Sequence, residues 1–357
     1  MEAHVATTPA AAGGRRPRER PFWREAVEPY THPSVRRSVI DVLTAAVPYV
    51  VLTAAMYLLL DVSYLLVLAL AVPAAGFLVR TFIIFHDCTH GSFLPTKRGN
   101  TWLGVVMGLF VYSPFHAWKH EHAVHHATSA DLDRRGVGDV DTLTVAEYAA
   151  LSRPRRFEYR MMRNPFVMLG LGPLWAMAIE PRFAQGTGRP ADKRSIVYTD
   201  IALVVLVGGL IWLVGLGAFL SVQLPTITLA GAGGIWLFYV QHQFEDVYWQ
   251  RSEDWSYVDS ALKGSSYLKL PKVLQFFSGN IGLHHVHHLS ARIPNYYLQR
   301  AHEENEFFHD VPTLSWWDGV KTLRLKLYDE RSGRLVTWAQ ARRSMQDEAS
   351  SGAAATA

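Results

Sequence analysis

Long uncharged apolar runs alternate with charged stretches along this 357-residue chain. Residues 42–60, 62–79 and 201–244 contain no Asp, Glu, Lys or Arg, whereas charges crowd into 131–163, 180–194 and 245–272. A run of about 18 apolar residues lets one helix cross a hydrocarbon core roughly 30 Å thick. Backbone polar groups in lipid must be satisfied within the crossing segment, so these runs predict helices of an integral membrane protein.

The first run divides at Asp61-Val62-Ser63, giving spans of about 38–60 and 62–85 in a tight hairpin. The run 201–244 is too long for one crossing, and Ser221 to Pro225 marks the expected break, with spans of about 197–220 and 225–244. Neither hairpin tip carries Lys or Arg, while residues 15–20, Arg36, Arg37, 153–163, Lys193, Arg194 and Lys263 supply positive charge to the other side. Positive charge marks the cytoplasmic face, so both termini and the polar segments 86–196 and 245–345 are expected there. The apolar segments 101–115 and 165–179 fall at or below the length of a spanning helix and read as interfacial or re-entrant. The predicted architecture is an all-α integral membrane domain over 31–345: four transmembrane helices in two hairpins, capped by a cytoplasmic helical domain. A basic tail over 1–30 and an Ala-, Ser- and Gly-rich tail over 346–357 are expected to be disordered.

Composition narrows the class. The formal net charge is +4, but the basic residues flank apolar spans and form no aromatic-interleaved patch, so nucleic acid is not an expected partner. Cys88 is the one cysteine, which excludes an intramolecular disulfide and fits a reducing compartment. The N-terminal RRPRER lacks an apolar core with a small-residue cleavage site, so no signal peptide is expected.

The chemistry lies in the histidines, 11 of whose 16 fall in three clusters: His86 and His90; His116, His120, His122, His125 and His126; His284, His285, His287 and His288. Neutral imidazole is a transition-metal ligand, and packing alone does not concentrate it this way. His86 and His90 are four apart, and His122, His125, His126 and His284, His287, His288 repeat an i, i+3, i+4 spacing. On helices each set shares one face. These eight nitrogens exceed what one tetrahedral or octahedral ion takes, so a dinuclear centre follows. His242, at the end of span four, is a ninth candidate. His116 and His120 fall outside the best spacing and suit structural roles, and His285 faces another side of its helix, towards an outer layer or solvent. His4, His32, His302 and His309 stand alone and carry no assignment.

Outer-layer carboxylates orient ligating imidazoles by accepting their second N–H. Candidates are Asp87, Glu121, Asp131, Asp133, Asp139, Glu245 and Asp246. Asn280, four before His284, either faces the metals or caps a helix. Cys88 reads as a small packed side chain. Trp118, Trp236, Phe238 and Tyr239 either line a substrate tunnel or serve as packing and interfacial anchors.

The three boxes resemble those of the membrane fatty acid desaturases, whose pattern is HxxxH, HxxHH and then HxxHH or QxxHH. His86-Asp87-Cys88-Thr89-His90 matches the first, His122-Ala123-Val124-His125-His126 the second, and His284-His285-Val286-His287-His288 the third. The resemblance runs from about residue 80 to 298, with His242 where the family offers a further ligand. KLPKVLQFFSGNIGLHHVHHLSARIPNYYL is most similar to bacterial acyl-lipid desaturases that act on membrane phospholipids. The resemblance implies two irons held by histidine, dioxygen as co-substrate, an acyl lipid as substrate and a bacterial cytoplasmic membrane with the site on the cytoplasmic side. Removing hydrogen from an unactivated methylene pair needs an oxidant that side chains do not provide. Soluble di-iron proteins use Glu and Glu-x-x-His ligands, pairs absent from these apolar segments.

The neighbouring alternatives are a hydroxylase or ketolase of the same superfamily and a non-catalytic membrane metal carrier. A zinc protease lacks support because no HExxH occurs; Val124 stands where the second histidine is needed. Haem ligation would place histidines inside the spans. The chain shows no flavin or nicotinamide fingerprint, and His32-Pro33 lacks the glycine pair of a cytochrome b5 motif. Electrons are therefore expected from outside, from a small acidic ferredoxin or flavodoxin docking on the basic face.

Overall fold

The computed structural model describes residues 21–183 and 189–355. Helix α1 (Phe22–Val27) leads through a turn of 3-10 helix (Glu28–Tyr30) to α2 (Val35–Leu59). Then come α3 (Tyr64–His90), α4 (Lys97–Phe110), α5 (Phe115–Thr128), α6 (Pro190–Val214), α7 (Leu216–His242), α8 (His284–Leu289) and α9 (Asn295–Glu303). Among the described residues α2, α3, α6 and α7 are long and apolar enough to cross a membrane, at 25, 27, 25 and 27 residues. At about 1.5 Å per residue each exceeds a hydrocarbon core of roughly 30 Å. Their outward faces carry Val47, Val50, Leu65, Val72, Val204, Val205 and Leu213, all exposed. In water such a surface would be a liability; in lipid it is the solvent-facing one.

The two hairpins form as expected, but the second breaks elsewhere. Pro225 lies inside α7, and the chain turns at Gly215, with φ +82° and ψ +151°. That backbone region is open essentially to glycine alone, so the bend follows Gly215. Pro225 removes one helical hydrogen bond, a loss that neighbouring groups offset in membrane helices. Span two is also longer than expected, reaching His90 before Gly91 ends it in the left-handed region (φ +72°). Its last turn therefore carries the first box.

The short apolar segments pack against these spans. In α4, Gly104 lies under the Phe115 ring, where an added Cβ would sit 2.1 Å from Cε2. The 167–179 segment is a run of π- and α-helical turns, and Gly231 of α7 approaches Pro173 so closely that a Cβ would meet it at 2.6 Å. Both close approaches need glycine.

The expected tail over 1–30 is corrected from residue 22 onward: α1 and the 3-10 turn bury Trp23, Val27 and Tyr30 against the third-box region. Residues 1–20 lie outside the described residues. The C-terminal tail expected over 346–357 is helical to Ala355, within Trp338–Ala355. The polar cap adds two small sheets that the sequence pattern did not announce. Tyr267–Leu268 pairs in parallel with Thr313–Leu314, and Leu325–Asp329 with Arg334–Thr337 as an antiparallel hairpin.

An added Cβ at Gly215 meets no atom within 4 Å, so a substitution there acts through backbone conformation alone. Gly215→Ala should lower the unfolding free energy by about 1–3 kcal/mol, measured by denaturation in micelles. Gly217→Ala, in open space within α7, serves as control. Equal stabilities for the two variants would show that the turn does not depend on glycine.

Candidate metal centre

Nine imidazoles converge from four elements. The last turn of α3 brings His86 and His90, α5 brings His122, His125 and His126, the end of α7 brings His242, and α8 brings His284, His287 and His288. They divide into two groups whose ligand nitrogens lie within 4.8 Å of one another: His86, His90, His122, His126 and His287 form one, and His125, His242, His284 and His288 the other. Two nitrogens on opposite sides of one ion would be separated by about 4.2 Å, twice a zinc–imidazole bond.

The division cuts across the helical faces. Within α5, His122 and His126 serve the first group and His125 the second; within α8, His287 serves the first and His284 and His288 the second. The groups meet where the rings of His126 and His288 stack, 4.2 Å between centroids and 16° between planes.

The donor set fits metal ions. Five Nε2···Nε2 contacts of 2.9–3.3 Å link His242 to His284, His284 to His288, His288 to His125, His287 to His126 and His126 to His122. A neutral imidazole has one N–H and one lone pair, so protons alone satisfy such a chain only partly. His90 Nε2 is buried with no hydrogen-bond partner, although its ring lies 4.7–4.8 Å from those of His122, His126 and His287. Burial, and secondarily the neighbouring imidazoles, hold His122, His126, His284, His287 and His288 well below the ordinary histidine range. These rings are therefore neutral at pH 7, as metal ligands must be.

The outer-layer candidates separate clearly. Asp87 accepts from His86 Nδ1 at 3.2 Å, and Asp139 accepts from His125 Nδ1. His242 donates its Nδ1–H to the Gly264 carbonyl at 3.2 Å, a backbone partner that no sequence motif signals. Each such bond fixes the tautomer that leaves the lone pair on Nε2, free to bind a metal.

Glu245 does not join this layer: it is exposed and faces Arg334 at 3.8 Å, because the chain leaves the cage just after His242. Asp246 pairs with Arg334, Asp131 with Arg134 and Ser252, and Asp133 with Arg251. Glu121 is half-buried, and burial beside Glu180 and Asp192 pushes its carboxyl up to about 7. Asn280 donates to the Asn295 carbonyl at 3.2 Å from a left-handed backbone (φ +59°). Cys88 is buried in the apolar core, outside both groups.

His285 is fully buried rather than solvent-facing and contacts His302 at 3.1 Å. His120 accepts from Arg189 at 2.6 Å, and His116 is exposed. Of the aromatic tunnel candidates, Trp118 stacks on His122 (4.3 Å) and Phe238 packs on His125 and His242 (5.3 and 5.4 Å). Trp236 and Tyr239 are engaged elsewhere, donating to the carbonyls of Gly319 and Leu325.

Comparison with known proteins follows the same boxes. A family model described as fatty acid desaturase matches residues 61–317. The chain is 46% identical over 312 residues to a fatty acid desaturase of Bacillus subtilis (strain 168), covering 87% of this chain and 89% of that one. It is 26% identical over 230 residues to an sn-1 acyl-lipid omega-3 desaturase (ferredoxin) of Synechocystis, covering 62% of each. It is 25% identical over 303 residues to an sn-1 oleoyl-lipid 12-desaturase of Anabaena variabilis, covering 78% of this chain and 79% of that one.

Two outcomes are expected. His90→Ala should remove the metal of the first group and leave the second, while His242→Ala should do the converse, as read by metal analysis of purified protein. Equal loss from both variants at both positions would overturn the partition. The metal-free protein should also lose thermal stability as pH falls below about 6.5. The unfolded chain then takes up protons that the buried rings refuse, so the melting temperature drops with acidification. A melting temperature flat from pH 8 to pH 5 would contradict this.

Proposed function

The chain belongs to the fatty acid desaturase family, and from that premise we propose that it introduces a double bond into acyl chains of membrane lipids. The observation that carries this reading is the gathering of nine imidazoles into two adjoining metal groups at the ends of apolar spans. Two irons with dioxygen supply the oxidant that removes hydrogen from an unactivated methylene pair. The reaction balances when two hydrogens from the acyl chain, two electrons and two protons reduce one dioxygen to two waters.

The side chains hold, orient and shield. Each of the nine histidines offers one ring nitrogen to a metal. Asp87, Asp139 and the Gly264 carbonyl take the Nδ1–H of His86, His125 and His242, so those rings cannot turn or switch tautomer. Trp118 and Phe238 cover ligand faces and keep water from the rings they touch. The site lies at the ends of the apolar helices α3 and α7, beside the bilayer that holds the acyl chains. The basic residues beside the spans support a reading in which this end, and both termini, lie on the cytoplasmic side of a bacterial membrane.

Electrons come from a separate carrier, for which a small acidic ferredoxin or flavodoxin fits the basic flank. One of the relatives carries ferredoxin in its name.

The test is lipid analysis of a desaturase-free host expressing the chain, paired with purified iron-loaded protein supplied with oxygen and reduced ferredoxin. The expected product has lost two hydrogens from a phospholipid acyl chain, at a rate that falls as salt screens donor docking. Gain of an oxygen atom would identify a hydroxylase instead. Acyl chains left wholly saturated in both settings would sink the proposal.

A further inference from the structure

A chain of buried polar groups leads away from the first metal group into the membrane hairpin. Asp87, 1% exposed, turns Oδ1 to His86. Its Oδ2 accepts twice from Asn295: from the backbone N–H at 2.7 Å and from Nδ2 at 3.0 Å. Asn295 is the first residue of α9, so this N–H is one that the helix itself leaves unpaired, and the helix end favours a carboxylate. The same Nδ2 donates to Asp41 Oδ2 at 3.0 Å. Asp41 in turn pairs with Arg80, whose guanidinium also donates to the Phe276 carbonyl. Asp41, Asp87 and Asn295 are all buried.

Each link is needed by the next. An amide nitrogen has two protons, and Asn295 spends one on each carboxylate. Two buried carboxylates sharing one neighbour repel, and Arg80 balances only the distal one. Asn295 therefore keeps Asp87 in a single orientation while its other oxygen remains free for His86. Among the described residues the second group shares no such chain with it: Asp139 orients His125 and the Gly264 carbonyl orients His242.

We infer that Asn295 is a positioning residue for one metal only, acting through Asp87 on His86. This rests on the two-metal reading of the nine histidines. Partners behind a ligating histidine alter metal affinity by about 10- to 100-fold, and a residue one step further out should sit at the lower end.

The experiment compares wild-type, Asn295→Ala and Asn295→Ser proteins loaded with iron, each checked for its melting temperature. Metal affinity is titrated and Mössbauer spectra resolve the two irons. Asn295→Ala should weaken one site up to about tenfold and shift one iron signal, leaving the other site and signal at wild-type values. Asn295→Ser, which keeps one donor, should fall between and provides the reading should the alanine variant not fold. Unchanged signals in the variants, or both signals altered together as general loosening would cause, overturn the inference while leaving the two-metal reading intact. Wild-type protein with a single iron signal overturns both.

Discussion

Gathering nine imidazoles together, with most of their Nε2 atoms pointed at one another, is the constraint from which the rest of this architecture follows. A buried polar nitrogen without a partner costs about 1–3 kcal/mol, and here several share too few protons. Such a cluster is tolerated where ions complete it. Four elements far apart in sequence must therefore end at one level: the last turn of α3, the length of α5, the last residue of α7 and the short α8. Two hairpins with tight tips meet that demand, since each returns its chain to the side from which it left.

Precision at the centre comes from the layer behind it. His86, His125 and His242 each spend their Nδ1 on a different kind of acceptor: a neighbouring carboxylate, a distant carboxylate and a backbone carbonyl. A ligating ring free to rotate would present its nitrogen only part of the time. Asp87 is held in turn by the start of α9, so the third-box region and the first hairpin are joined through a carboxylate as well as through shared ligands.

Close backbone approach does the remaining positioning. Gly104 against Phe115 sets α4 beneath the start of α5, and Gly231 against Pro173 seats the irregular 167–179 segment on α7. Aromatic rings then close over the ligands, with Trp118 on His122 and Phe238 on His125. The shielding is thereby shared between the cap, through Trp118 of α5, and a span, through Phe238 of α7.

Much of this was legible from residue order. Uncharged runs of sufficient length specify helices in lipid whatever their partners, and i, i+3, i+4 spacing specifies which histidines share a face, because both depend on local geometry. The second hairpin's turn was misplaced because Pro225 is a strong breaker in water, whereas a lipid-embedded helix accommodates it and Gly215 permits a backbone angle that other residues resist. Residues 22–30 read as tail because their burial depends on partners far along the chain, Tyr257 against Trp23 and Glu304, 274 positions away, for Tyr30. Tertiary structure alone decided how one helical face divides its imidazoles between two groups, that Asp87 and Asp139 reach the rings while Glu245 turns to Arg334, and that His285 lies buried beside His302. Local spacing sets which way a side chain leaves its helix; what it meets is fixed by the helix packed opposite.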